Sequence, residues 1–294
     1  MNATMSPLLR LWKLLISAKA RLKSRVMFGP FDWPLAALSR LVFQLGSSVK
    51  THRGPGLTIA LQDGLTMLIP PGSPSSRQFQ TALYETEVTS LICRLLKPGM
   101  NVVDLGASSG YYTLMAARLV SPSGQVFAFE PDPLMYRYLH RNVQFNQLRN
   151  VHCLQTAASN SIGQVKLARD EIERGYLTSS GKDGLLSVDT TTLDAFFGNL
   201  GSPAIDLIKM DIEGAETAAL QGMTDLARRN PQLRLIVEFN LEAIRRSGSS
   251  PAGFADALRR IGFERAYVIE NHMQQLSLAS PPTSHFLFNL FVTR

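Results

Sequence analysis

The chain has 294 residues, 45% apolar and 18% charged, with a formal net charge of +7. This length and composition allow a sizeable core, which excludes disorder over most of the chain; 21 glycines and 16 prolines without periodic spacing exclude collagen-like and low-complexity classes. Residues 1–53 carry nine Lys or Arg and one acid, whereas the remainder carries 21 bases against 22 acids, so the basic character belongs to the N-terminal segment and argues against a nucleic-acid partner.

Residues 7–25 put Leu8, Leu11, Trp12, Leu15 and Ile16 on one helical stripe surrounded by Arg10, Lys13, Lys19, Arg21 and Lys23. Such a helix suits either peripheral contact with an anionic membrane or packing on the main domain or on a second copy in a homodimer. No run of 18 uncharged apolar residues is present, and Arg10 and Lys13 interrupt the apolar centre of a cleavable signal. The expected location is cytoplasmic, with the inner membrane face as the variant. Cys93 and Cys153 lie in apolar stretches and are expected to be buried thiols.

A break at 28–34 and a short apolar helix at about 35–45 follow. Residues 56–69 read as a β-hairpin turning at Gln62-Asp63-Gly64. Prolines and a glycine at 70–74 mark a boundary, so a basic extension over 1–80 is expected to precede a domain over 81–294. A helix over 83–96 is stopped by Lys97-Pro98-Gly99. From residue 100 strands and helices alternate: strands at 101–105, 126–129, 151–155, 205–210 and 233–239, helices at 110–120, 133–145 and 215–221, and one from 251 to just before Gly262. Residues 159–194 are less regular, with strand-like pieces at 164–167 and 187–191. Tyr267–Ile269 and Leu287–Val292 suggest a final antiparallel pair. The pattern predicts an α/β fold, a mostly parallel sheet with helices on both faces.

Chemistry gathers at the carboxyl ends of the strands. Asp104-Leu105-Gly106-Ala107-Ser108-Ser109-Gly110 runs from a strand through a tight turn into a helix. Gly106 suits the turn and close approach of a ligand, and Gly110 suits close packing of the helix on the strand. The spacing is G-x-x-x-G rather than the pyrophosphate-binding G-x-G-x-x-G, and the acid before it suits a cationic amino group. Glu130 ends the next strand, where an acid accepts hydrogen bonds from ribose hydroxyls. Asp211 ends a third strand and is followed by Glu213 and Glu216, which share a helical face if the helix has begun. Glu238 arrives on a fourth.

Three stretches, VVDLGASSGYYTLMAARL, GQVFAFEPDP and DLIKMDIEGAETAALQGM, together resemble the FkbM-type methyltransferases over roughly residues 85–292. The resemblance implies the class I Rossmann-like methyltransferase fold with S-adenosylmethionine as cofactor, and O-methyl transfer to a hydroxyl of a sugar, a glycan or lipid-linked sugar, or a secondary metabolite. It places the methionine end of the cofactor on Asp104, Gly106, Ala107, Ser108 and Gly110, and the ribose on Glu130. Thr156 and Ala157 would border adenine, and Asp211 would sit beside the sulfonium and the acceptor. The family usually carries Asn where this chain has Ser108. Asp211, Glu213 and Glu238 are the candidate bases, with His140, His272 and His285 as alternatives. No metal is expected; Mg²⁺ on Asp211, Glu238 and Asn240 is the lesser alternative. A non-catalytic adenosylmethionine or nucleotide binder and an RNA methyltransferase remain the competing functions.

Overall fold

The computed structural model describes residues 57–61, 64–71, 73, 78–79, 84–169, 175–178, 185–284 and 287–294. The stripe at 7–25, the helix at 35–45, Gln62, Asp63, His285 and parts of 170–184 lie outside the described residues. The chain divides into units of residues 1–52 and 53–294, and all that follows concerns the second.

The hairpin forms as β1 (Leu57–Ala60) and β2 (Thr66–Ile69), paired antiparallel. Helix α1 (Thr86–Leu95) precedes the regular alternation of β3 (Asn101–Leu105), α2 (Tyr111–Val120), β4 (Gln125–Phe129), α3 (Pro133–Phe145) and β5 (Val151–Leu154). Helix α3 starts where its residues say it should: Asp132 accepts hydrogen bonds from the Leu134 and Met135 amides, and Pro133 fills the first turn.

The irregular stretch becomes a separate four-stranded sheet of β6 (Ala157–Ala158), β7 (Gly163–Arg169), β8 (Gly175–Thr178) and β9 (Leu186–Thr191), in the order β6-β9-β7-β8. Only pieces of this sheet are expected from the sequence, because its strands pair with one another outside the alternation of strand and helix that marks the main sheet. Next come α4 (Leu193–Asn199), β10 (Leu207–Met210), α5 (Glu216–Gln221), α6 (Thr224–Arg229), β11 (Arg234–Asn240), α7 (Leu241–Arg246) and α8 (Pro251–Arg260). The chain finishes with β12 (Arg265–Val268), β13 (Gln274–Leu276) and β14 (Leu287–Thr293). Helices α4, α6 and α7 are each six or seven residues long, too short to show a periodicity.

The main sheet has eight strands in the order β13-β12-β14-β11-β10-β3-β4-β5. Strands β11, β10, β3, β4 and β5 are parallel, and β14 is inserted antiparallel between β11 and β12, so the expected α/β architecture is present. Side-chain alternation divides the core. Val102, Val126, Leu207 and Ile236 pack with α1 and α2, whereas Val103, Phe127, Ile208 and Leu235 pack with α5, α6 and α8 on the other face. The chain leaves β3 toward β4 and β5, then lays β10 on β3's other side. That reversal opens a crevice at the carboxyl ends of β3 and β10, where open α/β sheets hold ligands.

The cysteine expectation is corrected. Cys93 is exposed on α1, with its sulfur 3.9 Å from that of Met115, and Cys153 is half-buried, since their apolar neighbours face the core instead. Phe197 of α4 is buried and meets Phe127 edge-on at 5.1 Å. Phe197→Ala should cost about 3–5 kcal/mol in urea unfolding; a loss below about 1 kcal/mol would show that this cluster does not fasten α4 to the sheet.

Candidate active site

Strands β3 and β10 lie in a register that pairs Asp104 with Lys209. Alternation sends both side chains to the face covered by α1 and α2, where two opposite charges sit side by side. Lys209 is buried, with Nζ donating to Asp211 Oδ2 at 3.1 Å and lying 4.7 Å from the centre of the Tyr112 ring. Burial works against its charge, but Asp211, Glu85 and Asp104 outweigh burial and hold its pKa above the ordinary value. Asp104 is buried too. Its Oδ2 accepts from the Thr113 hydroxyl at 2.6 Å, while Oδ1 has no hydrogen-bond partner among the described residues. Burial raises the Asp104 pKa, and Lys209 and Thr113 oppose that rise.

Glu130 follows β4 directly. Its Oε2 accepts from the Ser108 amide at 2.7 Å and its Oε1 from the Asp132 amide at 2.9 Å. A carboxylate has about four acceptor positions, so each oxygen can take a further donor. Burial pushes its pKa up to about 7, against the pull of the two amides.

The turns after β3 and β10 touch. Gly106 has φ +79°, and a Cβ there would fall 1.9 Å from the Asp211 carbonyl oxygen. The Asp211 amide donates to the Leu105 carbonyl at 3.1 Å. The glycine therefore admits the neighbouring turn, a closer claim on its space than the ligand expected there. Gly110, φ +102°, faces Leu139 of α3 at 2.9 Å from its would-be Cβ, rather than packing on the strand. Ser108 is left-handed at φ 50°, a conformation that Asn adopts more readily than Ser.

These turns enclose one cavity of about 240 Å³. Asp104, Gly106, Ala107, Ser108, Glu130, Thr156, Ala157, Asp211 and Glu213 are among the residues that line it, and Gly110 is not. Thr156 donates its hydroxyl to the Asp189 carbonyl at 2.9 Å, and Ala157 is buried.

Several candidate roles change. Helix α5 begins at Glu216, so Glu213 precedes it and shares no helical face with Glu216. Glu213 is left-handed at φ 53° and lies 3.9 Å from Arg246. Glu216 is fully buried and turned inward, where Oε1 accepts from the Ile212 amide at 3.0 Å; burial pushes its pKa up to about 7. Glu238 is not among the cavity-lining residues. Burial, followed by the charges of Asp211, Glu213 and Glu216, raises its pKa, which disfavours the ionised form that a general base needs. Asn240 Oδ1 accepts from the Ala243 amide at 3.1 Å as the cap of α7. Among the described residues no group of three or more His, Cys, Asp or Glu is arranged to hold a metal ion. His140 and His272 do not line the cavity.

Sequence reasoning assigned no role to Lys209 or to the aromatic wall. Phe79, Tyr84 and Tyr111 pack with ring centres 4.4–5.1 Å apart and line the cavity with Tyr112, whose hydroxyl donates to Glu85 Oε2 at 2.6 Å. Burial raises the Glu85 pKa and Lys209 pulls it back. The signal for Lys209 was present: one charge inside the apolar strand Leu-Ile-Lys-Met. Glu85 lies far before β3 in sequence, with no local pattern to mark it.

Residues 104–265 match the family described as the Methyltransferase FkbM domain. The chain belongs to the FkbM methyltransferase family. Among curated relatives, it is 38% identical over 101 residues to the ribosomal protein L11 methyltransferase of Chloroflexus aurantiacus, covering 34% of this chain and 28% of that protein. It is 28% identical over 157 residues to methyltransferase sdnD of Sordaria araneosa, covering 42% and 60%. With 2-O-methyltransferase NoeI of Sinorhizobium fredii it shares 27% identity over 150 residues, covering 45% and 60%. This chain thus spans less than two thirds of the length of each. A solved structure of methyltransferase FkbM from Methylobacillus flagellatus aligns over 74% of this chain and 52% of its own, at 16% identity and a TM-score of 0.42.

Gly106→Ala should force the turns of this FkbM-family domain apart and cost about 2 kcal/mol or more in urea unfolding. Ser108→Asn should leave stability unchanged or raise it. Wild-type stability in Gly106→Ala would contradict the close approach.

Proposed function

We propose that the protein is an S-adenosylmethionine-dependent O-methyltransferase. The observation that carries this is the buried Asp104 Oδ1, left without a partner in a cavity whose other acids are Glu130, Asp132, Asp211 and Glu213. A buried carboxylate oxygen without a donor is costly, and a cationic amino group satisfies it. A pyrophosphate would instead bring negative charge to a cavity with five acids and one lysine. The donor set fits the cofactor: Asp104 for the amino group, Glu130 for the ribose hydroxyls, and Ala157, Met135 and Leu167 as apolar surface for adenine.

When bound, S-adenosylmethionine supplies an electrophilic methyl group for transfer to an acceptor oxygen. The chain's own residues hold and deprotonate the acceptor. Lys209 fixes the Asp211 carboxylate by its hydrogen bond and ion pair. Asp211, whose side chain keeps 21% exposure, takes the acceptor hydroxyl's proton and passes it to solvent. The acceptor is a hydroxyl of a sugar, a glycan or lipid-linked sugar, or a secondary metabolite. That reading is supported by the 2-O-methyltransferase among the relatives and by the flat faces of Phe79, Tyr84 and Tyr111 beside the reacting edge.

Calorimetric titration should show binding of S-adenosylmethionine and none of NADH. Release of S-adenosylhomocysteine across a panel of hydroxylated acceptors should identify turnover. Asp211→Asn should then lower kcat by about 10²–10⁴-fold while cofactor affinity changes little. Full turnover in that variant would remove Asp211 as the base, and binding without turnover on any acceptor would favour a non-catalytic binder.

Affinity should also depend on pH. Donation from ribose hydroxyls favours ionised Glu130, whose pKa without ligand is raised to about 7. Binding below that pH must release a proton, so affinity should fall as pH drops from 7.5 to 5.5. Glu130→Gln should flatten this dependence; an unchanged slope would place the titration on another group.

A further inference from the structure

The hairpin β1–β2 lies before the residues that the family match covers, yet it is built into the wall of the site. Strand β2 pairs with β1 along one edge. Along the other, the side chains of Asn142 in α3 and of Asn146, which caps the C-terminus of that helix, take the place of a third strand. Asn146 Oδ1 accepts from the Thr66 amide at 2.8 Å and its Nδ2 donates to the Thr66 carbonyl at 2.6 Å. Asn142 repeats the pair on Leu68, at 2.7 Å to the amide and 2.8 Å to the carbonyl.

The match is one of periods. Four residues of helix rise about 6 Å and two residues of strand about 6.6 Å. Asparagines at i and i+4 therefore meet strand residues at j and j−2, running antiparallel, and each primary amide presents the acceptor and donor that a strand residue would. An otherwise open strand edge is closed by side chains.

Asn142 does one thing more. It is buried, and its Nδ2 also donates to the Ser109 carbonyl at 2.7 Å. Ser109 belongs to the turn after β3 that lines the cavity. Directly after β2, Pro70 and Ser73 line the same cavity. One amide group thus joins the hairpin to the turn proposed to hold the methionine end of the cofactor.

We propose that Asn142 is a positioning residue that couples the hairpin, and the cavity wall hanging from it, to the cofactor-binding turn, so that cofactor binding and hairpin order rise and fall together. This rests on the reading of the cavity as an S-adenosylmethionine site. Asn146 provides the internal comparison, because it holds β2 in the same way but makes no bond to the turn.

The test is hydrogen exchange and calorimetry on the full chain with S-adenosylmethionine. In the wild type, saturating cofactor should slow exchange of the Leu68 amide about tenfold, since coupling between two sites is reciprocal. Asn142→Ala should weaken cofactor binding about tenfold and abolish the added protection, whereas Asn146→Ala should speed Thr66 exchange and keep affinity within about twofold of wild type. Cofactor binding that leaves Leu68 exchange unchanged would overturn the coupling, and the wild-type measurement decides this even where Asn142→Ala does not fold. Equal loss of affinity in both variants would reduce the asparagines to general anchors of the hairpin and also overturn it. No binding to the wild type would overturn the cofactor reading, and this inference with it.

Discussion

Two turns meet across a gap that only a glycine leaves open, and the site depends on that meeting. Because Gly106 has no side chain, the Asp211 carbonyl lies where a Cβ would stand, and the ends of β3 and β10 close on one another. Asp104 then lies beside Lys209, and Lys209 reaches Asp211. Glu130 joins from β4 by accepting the Ser108 amide, which fixes the left-handed turn from its other side. The sheet's reversal of strand order selects the location, and the glycine allows the two halves to share one wall.

Charge explains why such a cavity suits a sulfonium nucleoside. A buried lysine alone is costly, and so is a buried carboxylate. Here Lys209 stands among Asp104, Asp211 and Glu85, so the lysine and the carboxylates stabilise one another's charge, although the carboxylates repel each other. The remaining cavity acids leave an excess of negative charge, which a cationic ligand offsets. Glu216 and Glu238 are kept apart from this work. One turns inward to accept from the Ile212 amide, and the other sits in β11 with its pKa raised.

The parallel core and its strand ends were legible in the sequence because strong local patterns produce them. Residues 101–105 and 133–145 alternate or recur at the right period and are bounded by proline, glycine or capping residues. The acids at 104, 130 and 211 could be placed because strand ends are easy to read. The second sheet was not, since its strands follow one another without intervening helices and are defined by pairing with one another. The roles of Glu238 and Glu216 depend on burial and on which way a carboxylate turns, which spacing alone does not convey. Glu85 and the Asn142–Asn146 pair act across long separations in the chain, so their partners appear only once the chain is folded. Lys209 was the exception: a charge inside an apolar strand is a visible sign that a counter-charge must be near.

The most direct test is a crystal structure of the protein with S-adenosylhomocysteine bound. The account predicts the ligand's amino nitrogen within hydrogen-bonding distance of Asp104 Oδ1, both ribose hydroxyls on the Glu130 carboxylate, and the sulfur on the Asp211 side of the cavity. A ligand bound elsewhere, or one in this cavity with Asp104 Oδ1 still unpartnered, would contradict it.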